Sequence, residues 1–113
     1  MGCIGSKSAK KDGVKKAERW KSDKPVTRSE LNRLRDEFWE TAPAYGGNSA
    51  IWEALKVAVA AAQIADLETA KVILDAAGVI ISEPNLSVCY DEKGHEYEIP
   101  VYCLSEPINL QED

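Results

Sequence analysis

The sequence is short of most things that catalysis or membrane insertion require. It has 113 residues, one histidine (His95) and three cysteines, Cys3, Cys89 and Cys103. An odd number of cysteines without regular spacing is a poor disulfide framework and suits an intracellular address. There is no GxGxxG or GxxxxGK[ST] run, so the glycine-rich cradle of a phosphate site is missing. No stretch approaches the ~18 apolar residues of a membrane-spanning helix. The longest, Val57 to Ala62, is mostly alanine and helical in pattern. A secretory signal is missing too, because the opening apolar stretch ends at Ile4 and lysines follow. The length excludes a large two-domain enzyme. It leaves one domain with a body of about 85 residues, close to the lower size at which a core sustains itself. No internal repeat is visible; the second and third predicted helices resemble one tetratricopeptide-like pair, and a solenoid needs about three.

The sparse chemistry points away from an enzyme and from a bound cofactor or metal. Cys89, His95 and Cys103 offer three zinc ligands at most, with no CxxC pair. Neither body cysteine lies at a helix N-terminus or in a basic setting that would lower its pKa. Asp36 and Glu40, four apart on a helix, read as a solvated acidic face with an Arg33–Glu37 pair beside it. Asp91-Glu92-Lys93-Gly94 lacks the oxygen-ligand spacing of a calcium loop.

What is present is charge, unevenly placed. The formal net charge is -5. Residues 1–28 hold nine Lys/Arg and three Asp/Glu, a net +6, and residues 29–113 hold five and sixteen, a net -11. Met1-Gly2-Cys3-Ile4-Gly5-Ser6 fits the N-myristoylation pattern, in which the acyl group joins the Gly2 amine once Met1 is removed. One myristoyl chain binds membranes only marginally, with K on the order of 10⁴ M⁻¹, so a second signal is needed. Cys3 is a candidate for palmitoylation, and Lys7, Lys10, Lys11, Lys15 and Lys16 form a polybasic run suited to an anionic leaflet. Residues 1–24 are therefore expected to be a disordered, lipidated basic arm, poor in large apolar side chains. Nucleic acid is not an expected partner, because the acidic body would be repelled by phosphate.

The body, residues 25–113, announces its helices. Thr27 and Glu30 form a capping box, with Val26 and Leu31 as a hydrophobic staple. The helix is expected from Arg28 to Thr41, with Leu31, Leu34 and Phe38 inward and Arg33, Arg35, Asp36, Glu37 and Glu40 on a charged face. Asn48 or Ser49 caps a second helix to about Ala65. Asp66 caps a third, Leu67 to Ala77, and Gly78 takes the left-handed position after it. Val79-Ile80-Ile81 is a short strand-like run. Val88–Asp91 and Glu96–Ile99 then flank a turn at Gly94, the pattern of a hairpin. Pro100 ends the ladder or lies at an edge, and Val101–Leu104 is a further apolar segment. The fold class predicted is α+β, mainly helical: a three-helix domain with a C-terminal β-hairpin, preceded by the arm.

Aromatics are the last signal. Trp39, Trp52, Tyr45, Tyr90, Tyr97 and Tyr102 outnumber what such a core needs, and Trp and Tyr are common interface anchors. Phe38 and Trp52 suit a core corner between the first two helices. Trp39 and Tyr45, flanked by Asp36 and Glu40, are the candidate partner-binding patch.

Several segments together resemble the N-terminal domain of the ubiquitin domain-containing proteins, the family of dendritic-cell-derived ubiquitin-like type. They are Trp20-Lys21-Ser22-Asp23 with Pro25 and Thr27, Arg35-Asp36-Glu37-Phe38-Trp39-Glu40-Thr41-Ala42-Pro43, and Gly47 with Ile51-Trp52-Glu53-Ala54-Leu55-Lys56. The C-terminal part, Cys89-Tyr90-Asp91-Glu92, Gly94, Tyr97 and Pro100–Leu104 with Pro107, Asn109 and Leu110, is similar to the same domain's hairpin region. Members also begin with glycine and cysteine, as this chain does after Met1. The resemblance implies a helical domain with a β-hairpin and a non-catalytic role in the ubiquitin system, binding ubiquitin and ubiquitin-conjugating (E2) enzymes. Ala50 and Lys93 depart from the acidic and apolar residues usual there. Longer members continue into a ubiquitin-like domain, whereas this sequence stops at Asp113. The functional expectation is a membrane-tethered docking module at the cytoplasmic face of a membrane, the plasma membrane first, with a cytosolic fraction. Its partner would be an E2 and/or ubiquitin. A small thiol-dependent enzyme and a lipidated scaffold unrelated to ubiquitin are the alternatives.

Overall fold

A computed structural model describes residues 13–112. The capping box forms as the sequence predicts: the Thr27 hydroxyl accepts from the Glu30 N–H at 3.1 Å, and the Glu30 carboxylate accepts from the Thr27 N–H. It starts α1, Arg28–Thr41, which buries Leu31. A 3₁₀ turn, Ala42–Tyr45, follows, with Pro43 supplying a fixed φ near its start. Asn48 caps α2, Ser49–Gln63, two residues shorter than expected, because Ala65 turns to a φ of 64° and ends it. Asp66 caps α3, Leu67–Ala77, and Gly78 closes it with a left-handed φ of 77°. The alanine-rich face of α2, with Ala58 and Ala62 buried, lets α3 approach through Ala70 and Leu74. These two helices share the most extensive packing of any pair.

The C-terminal part holds a three-stranded antiparallel sheet of order β1-β2-β3: β1 Ile80–Ile81, β2 Val88–Tyr90 and β3 Glu96–Glu98. β1 pairs through Ile80 with Tyr90, and β2 pairs with β3 through Val88–Glu98, Cys89–Tyr97 and Tyr90–Glu96. The odd positions, Cys89 and Tyr97, point into the core, and both are fully buried. Tyr97 is thus a core residue and not one of the surface aromatics it was grouped with from sequence. Pro100 ends the ladder and precedes a one-turn helix, α4, Val101–Leu104, where only an apolar segment was expected. α4 packs between α1 and α2 and buries Cys103 and Leu104.

The ordered body begins earlier than composition suggests. Residues 13–24, expected within the disordered arm, lie along the C-terminal segment. Val14 is buried, and the Lys15 N–H donates to the Pro84 carbonyl at 2.9 Å. Trp20 forms a parallel bridge with Pro107, and its indole N–H donates to the Ser105 carbonyl at 3.1 Å. The Asn109 side chain accepts from the Ser22 N–H and donates to the Ser22 carbonyl. Ser105, the buried polar residue of this seam, donates its hydroxyl to the Glu18 carbonyl at 2.8 Å. A second bridge joins Thr27 to Gln111, and Arg28 forms ion pairs with Glu106 and Glu112. Half-buried Trp20, whose indole N–H finds a partner, acts with buried Val14 and these hydrogen bonds to hold the segment down. Gly2, Cys3, Lys7, Lys10 and Lys11 fall outside the described residues.

Candidate functional site

The end of α1 and the 3₁₀ turn stand over a corner of aromatic rings. Phe38 meets Trp39 edge-on at 5.0 Å and Trp52 at 5.9 Å, and Trp39 meets Trp52 at 6.4 Å. Trp52 in turn lies 4.9 Å from Tyr97. Such edge-to-face pairs each add about 0.5–1.5 kcal/mol beyond the area they bury. Phe38 and Trp52 occupy the predicted core corner. Trp39 is divided between that corner and the surface, while Tyr45 is 88% exposed. Asp36 and Glu40 are exposed on a polar face of α1 that also carries Asn32, Arg33 and Glu37. The four residues nominated from sequence therefore lie within one stretch of α1 and the turn that follows. They do not form one cavity: Asp36 and Glu40 line the polar face, and Tyr45 lines a groove around Phe38.

That groove, of about 340 Å³, runs between the 3₁₀ turn and the sheet. Phe38, Ala42, Tyr45, Gly46 and Trp52 line it on one side and His95, Glu96 and Glu98 on the other. Hydrogen bonds that sequence alone did not show brace the loop beside it against the sheet. The Trp52 indole donates to the Gly46 carbonyl at 2.8 Å, and the Asn48 N–H donates to the Tyr97 hydroxyl at 2.9 Å. Tyr97 donates to Asp91 Oδ2 at 2.9 Å. The other Asp91 oxygen accepts from the Lys93 and His95 N–H groups, each at 2.9 Å. The His95 N–H leads the causes that hold the Asp91 carboxyl below its usual range, while burial pushes the Tyr97 hydroxyl up. The sequence signal for this network was the pair Gly46-Gly47: a Cβ on Gly47 would stand 2.7 Å from the Tyr97 ring.

Two expectations about charge change. Arg35, assigned to the charged face, is half-buried; it donates to the Tyr102 carbonyl at 2.6 Å and the Ser105 carbonyl at 3.2 Å, tying α1 to α4. Among the described residues the ion pairs are Arg28–Glu106, Arg28–Glu112 and Lys71–Asp75, so the expected Arg33–Glu37 pair does not form.

The chain matches the ubiquitin-binding domain family over residues 10–113. It belongs to that family. Ubiquitin domain-containing protein 1 of Danio rerio is 45% identical over 112 residues, which cover 94% of this chain and 49% of that protein. The Homo sapiens protein of the same name is 51% identical over 92 residues, covering 81% of this chain and 40% of that protein. Ubiquitin domain-containing protein 2 of Danio rerio is 48% identical over 95 residues, covering 84% and 40%. The chain thus spans less than half the length of these relatives. The segments that carried the resemblance in the sequence prove largely architectural in this family member. Phe38, Trp52, Asp91 and Tyr97 build the corner and its hydrogen bonds and Arg35 ties α1 to α4, whereas Asp36 and Glu40 project outward.

Cys89 and Cys103 are buried free thiols, and burial pushes them up to about 11 and about 12. No group of three or more His, Cys, Asp or Glu side chains among the described residues is placed to hold a metal ion. No helix among the described residues is long and apolar enough to cross a membrane. Lys15 and Lys16 of the predicted polybasic run are exposed.

Proposed function

We propose that the domain is a non-catalytic docking module of the ubiquitin pathway that binds ubiquitin and/or an E2 enzyme through Asp36, Trp39, Glu40 and Tyr45. The observation that carries this reading is the exposed acidic face of α1 beside an almost fully exposed Tyr45 on a rigid turn. A tyrosine held in this way gives contact area at little entropic cost. A body of net charge -11 favours a basic partner surface and speeds the encounter, with binding weakened by salt. Membership of the ubiquitin-binding domain family supports the same reading, and the buried, protonated thiols support a non-catalytic role. Acylation of Gly2 and Cys3, aided by the lysines of the arm, would tether the module to an anionic membrane surface.

Titrating the ¹⁵N-labelled chain with ubiquitin, and separately with a panel of E2 enzymes, tests the docking. Amide shifts are expected around residues 36–45 with at least one of them. Asp36→Lys with Glu40→Lys should weaken that complex by about tenfold, or ~1.4 kcal/mol. An absence of binding to every partner at high micromolar concentration would sink the proposal. For the tether, persistent membrane association after Gly2→Ala counts against lipidation.

A further inference from the structure

Among the described residues β3 has one paired edge and one open edge. It lies at the end of the sheet, bonded only to β2. The Ile99 N–H donates to the Ser87 carbonyl and the Asp91 N–H to the His95 carbonyl, which marks the odd positions of β3 as those that exchange bonds with β2. In an antiparallel ladder the alternate residues turn their N–H and C=O groups the other way. Glu96 and Glu98 therefore present their backbone donors and acceptors to the open edge. That edge forms one bank of the 340 Å³ groove, and Phe38, Tyr45 and Trp52 line the other.

From this geometry we infer that the groove is a second docking surface, which takes an extended basic segment of a partner protein as a fourth strand along β3. Backbone hydrogen bonds would supply the affinity and alternate side chains the selectivity, as in other cases of strand addition. The charge is complementary to that occupant. Glu96 and Glu98 lie two apart on one face of the strand and are exposed. Among the described residues neither forms an ion pair; the Glu96 carboxylate accepts only from the Tyr90 hydroxyl, at 3.1 Å. Two adjacent glutamates on a short edge strand repel a second copy of the same edge, so they select against self-pairing. Lysine or arginine at alternate positions of an incoming strand would meet them. An apolar side chain between would face the aromatic bank, where Tyr45 is free to cover it. This surface shares Tyr45 with the α1 docking face but differs from it in the β3 edge and in Glu96 and Glu98, whereas the α1 face would read a folded partner through Asp36, Trp39 and Glu40.

The test uses the full chain and a synthetic peptide of about eight residues alternating lysine and valine, a length typical of strands. Its amide resonances should shift at Glu96, Glu98 and Tyr45, with slowed hydrogen exchange at Glu96 and Glu98. A glutamate–valine peptide should not bind. Glu98→Gln and Glu98→Pro both remove the carboxylate, but only the proline removes the outward N–H, which an edge position tolerates. Glu98→Gln should weaken the lysine peptide about threefold and Glu98→Pro about tenfold or more. Circular dichroism checks that both variants stay folded. Asp36→Lys with Glu40→Lys should leave peptide affinity within about twofold, which separates this surface from the α1 face. Equal binding by the glutamine and proline variants, or shifts confined to residues 36–40, would overturn the inference.

Discussion

Replacing Gly47 with alanine tests whether the loop between α1 and α2 is locked to the sheet. Gly47 has a φ of +86°, which costs an L-residue about 1–2 kcal/mol. Its new Cβ would also lie 2.7 Å from the ring of Tyr97, with the His95 and Trp52 nitrogens each 3.1 Å away. Tyr97 cannot swing aside, because it is fully buried and its hydroxyl is bonded to Asn48 and Asp91. Overpacking of that kind costs about 1–3 kcal/mol, so Gly47→Ala should lose about 2–5 kcal/mol in all. That is a large share of the ~5–15 kcal/mol of a typical domain. Gly94→Ala is the control. Its φ is +90°, but nothing lies within 4 Å of a Cβ there, so only the backbone cost of about 1–2 kcal/mol applies. Urea unfolding followed by tryptophan fluorescence compares the two, since Trp52 and Trp39 sit in the corner being probed. If Gly47→Ala is no more destabilising than Gly94→Ala, within about 0.5 kcal/mol, the close contact carries no energy and the lock is refuted.

Thr27→Ala should cost about 1 kcal/mol in a denaturation midpoint, through loss of the capping box that starts α1. Arg35→Met keeps the apolar stem but deprives the Tyr102 and Ser105 carbonyls of their donor; chemical unfolding should show a loss of about 1–3 kcal/mol. Cys89 and Cys103 should resist a thiol reagent at pH 8 in the native chain and react at once in denaturant. Their pKa values are raised from 9.0 to about 11 and about 12, so the native state holds these protons more tightly than the unfolded one. The stability they contribute is present below pH 9 and drains away as pH rises through 11 and 12, which pH-dependent unfolding would record.

The helices were legible because their signals are local. Thr27 with Glu30, Asn48, and Asp66 with Gly78 each act on backbone groups within a turn, and each does so in the structure. The hairpin was legible from its alternation and from Gly94. Arg35 was misplaced because helical spacing fixes only the angle of a side chain around the axis. It does not say that α4 will stand where solvent was expected. Tyr97 was counted among the aromatics in excess of the core's need because no local pattern shows that Asn48 and Asp91 will provide partners for its hydroxyl inside. Residues 13–24 were assigned to the arm because their lysines dominate the composition; the contacts that hold them come from positions 69 to 88 residues away. The candidate patch was legible only as residue types. Asp36, Glu40 and Tyr45 are exposed as expected, but the groove beside them depends on a sheet edge that no local pattern announces.

The seam between residues 18–28 and 105–112 also determines how long a leash the chain carries. Closing a loop of nearly ninety residues costs about 4 kcal/mol of chain entropy, and the packing of α2 on α3 shortens the loop that these bridges must close. Opening the seam would uncover mainly Trp20 and Val14 and not Leu55, Leu74 or Tyr97, so it should cost less than unfolding the core, which native-state hydrogen exchange would record. With the seam fastened, residues 14–26 are held along the body. With it open, residues 14–26 become slack, and at about 3.4 Å each they add roughly 45 Å of reach. Whatever holds the beginning of this chain therefore holds the body on a short leash or a long one, and Trp20 is the catch between them.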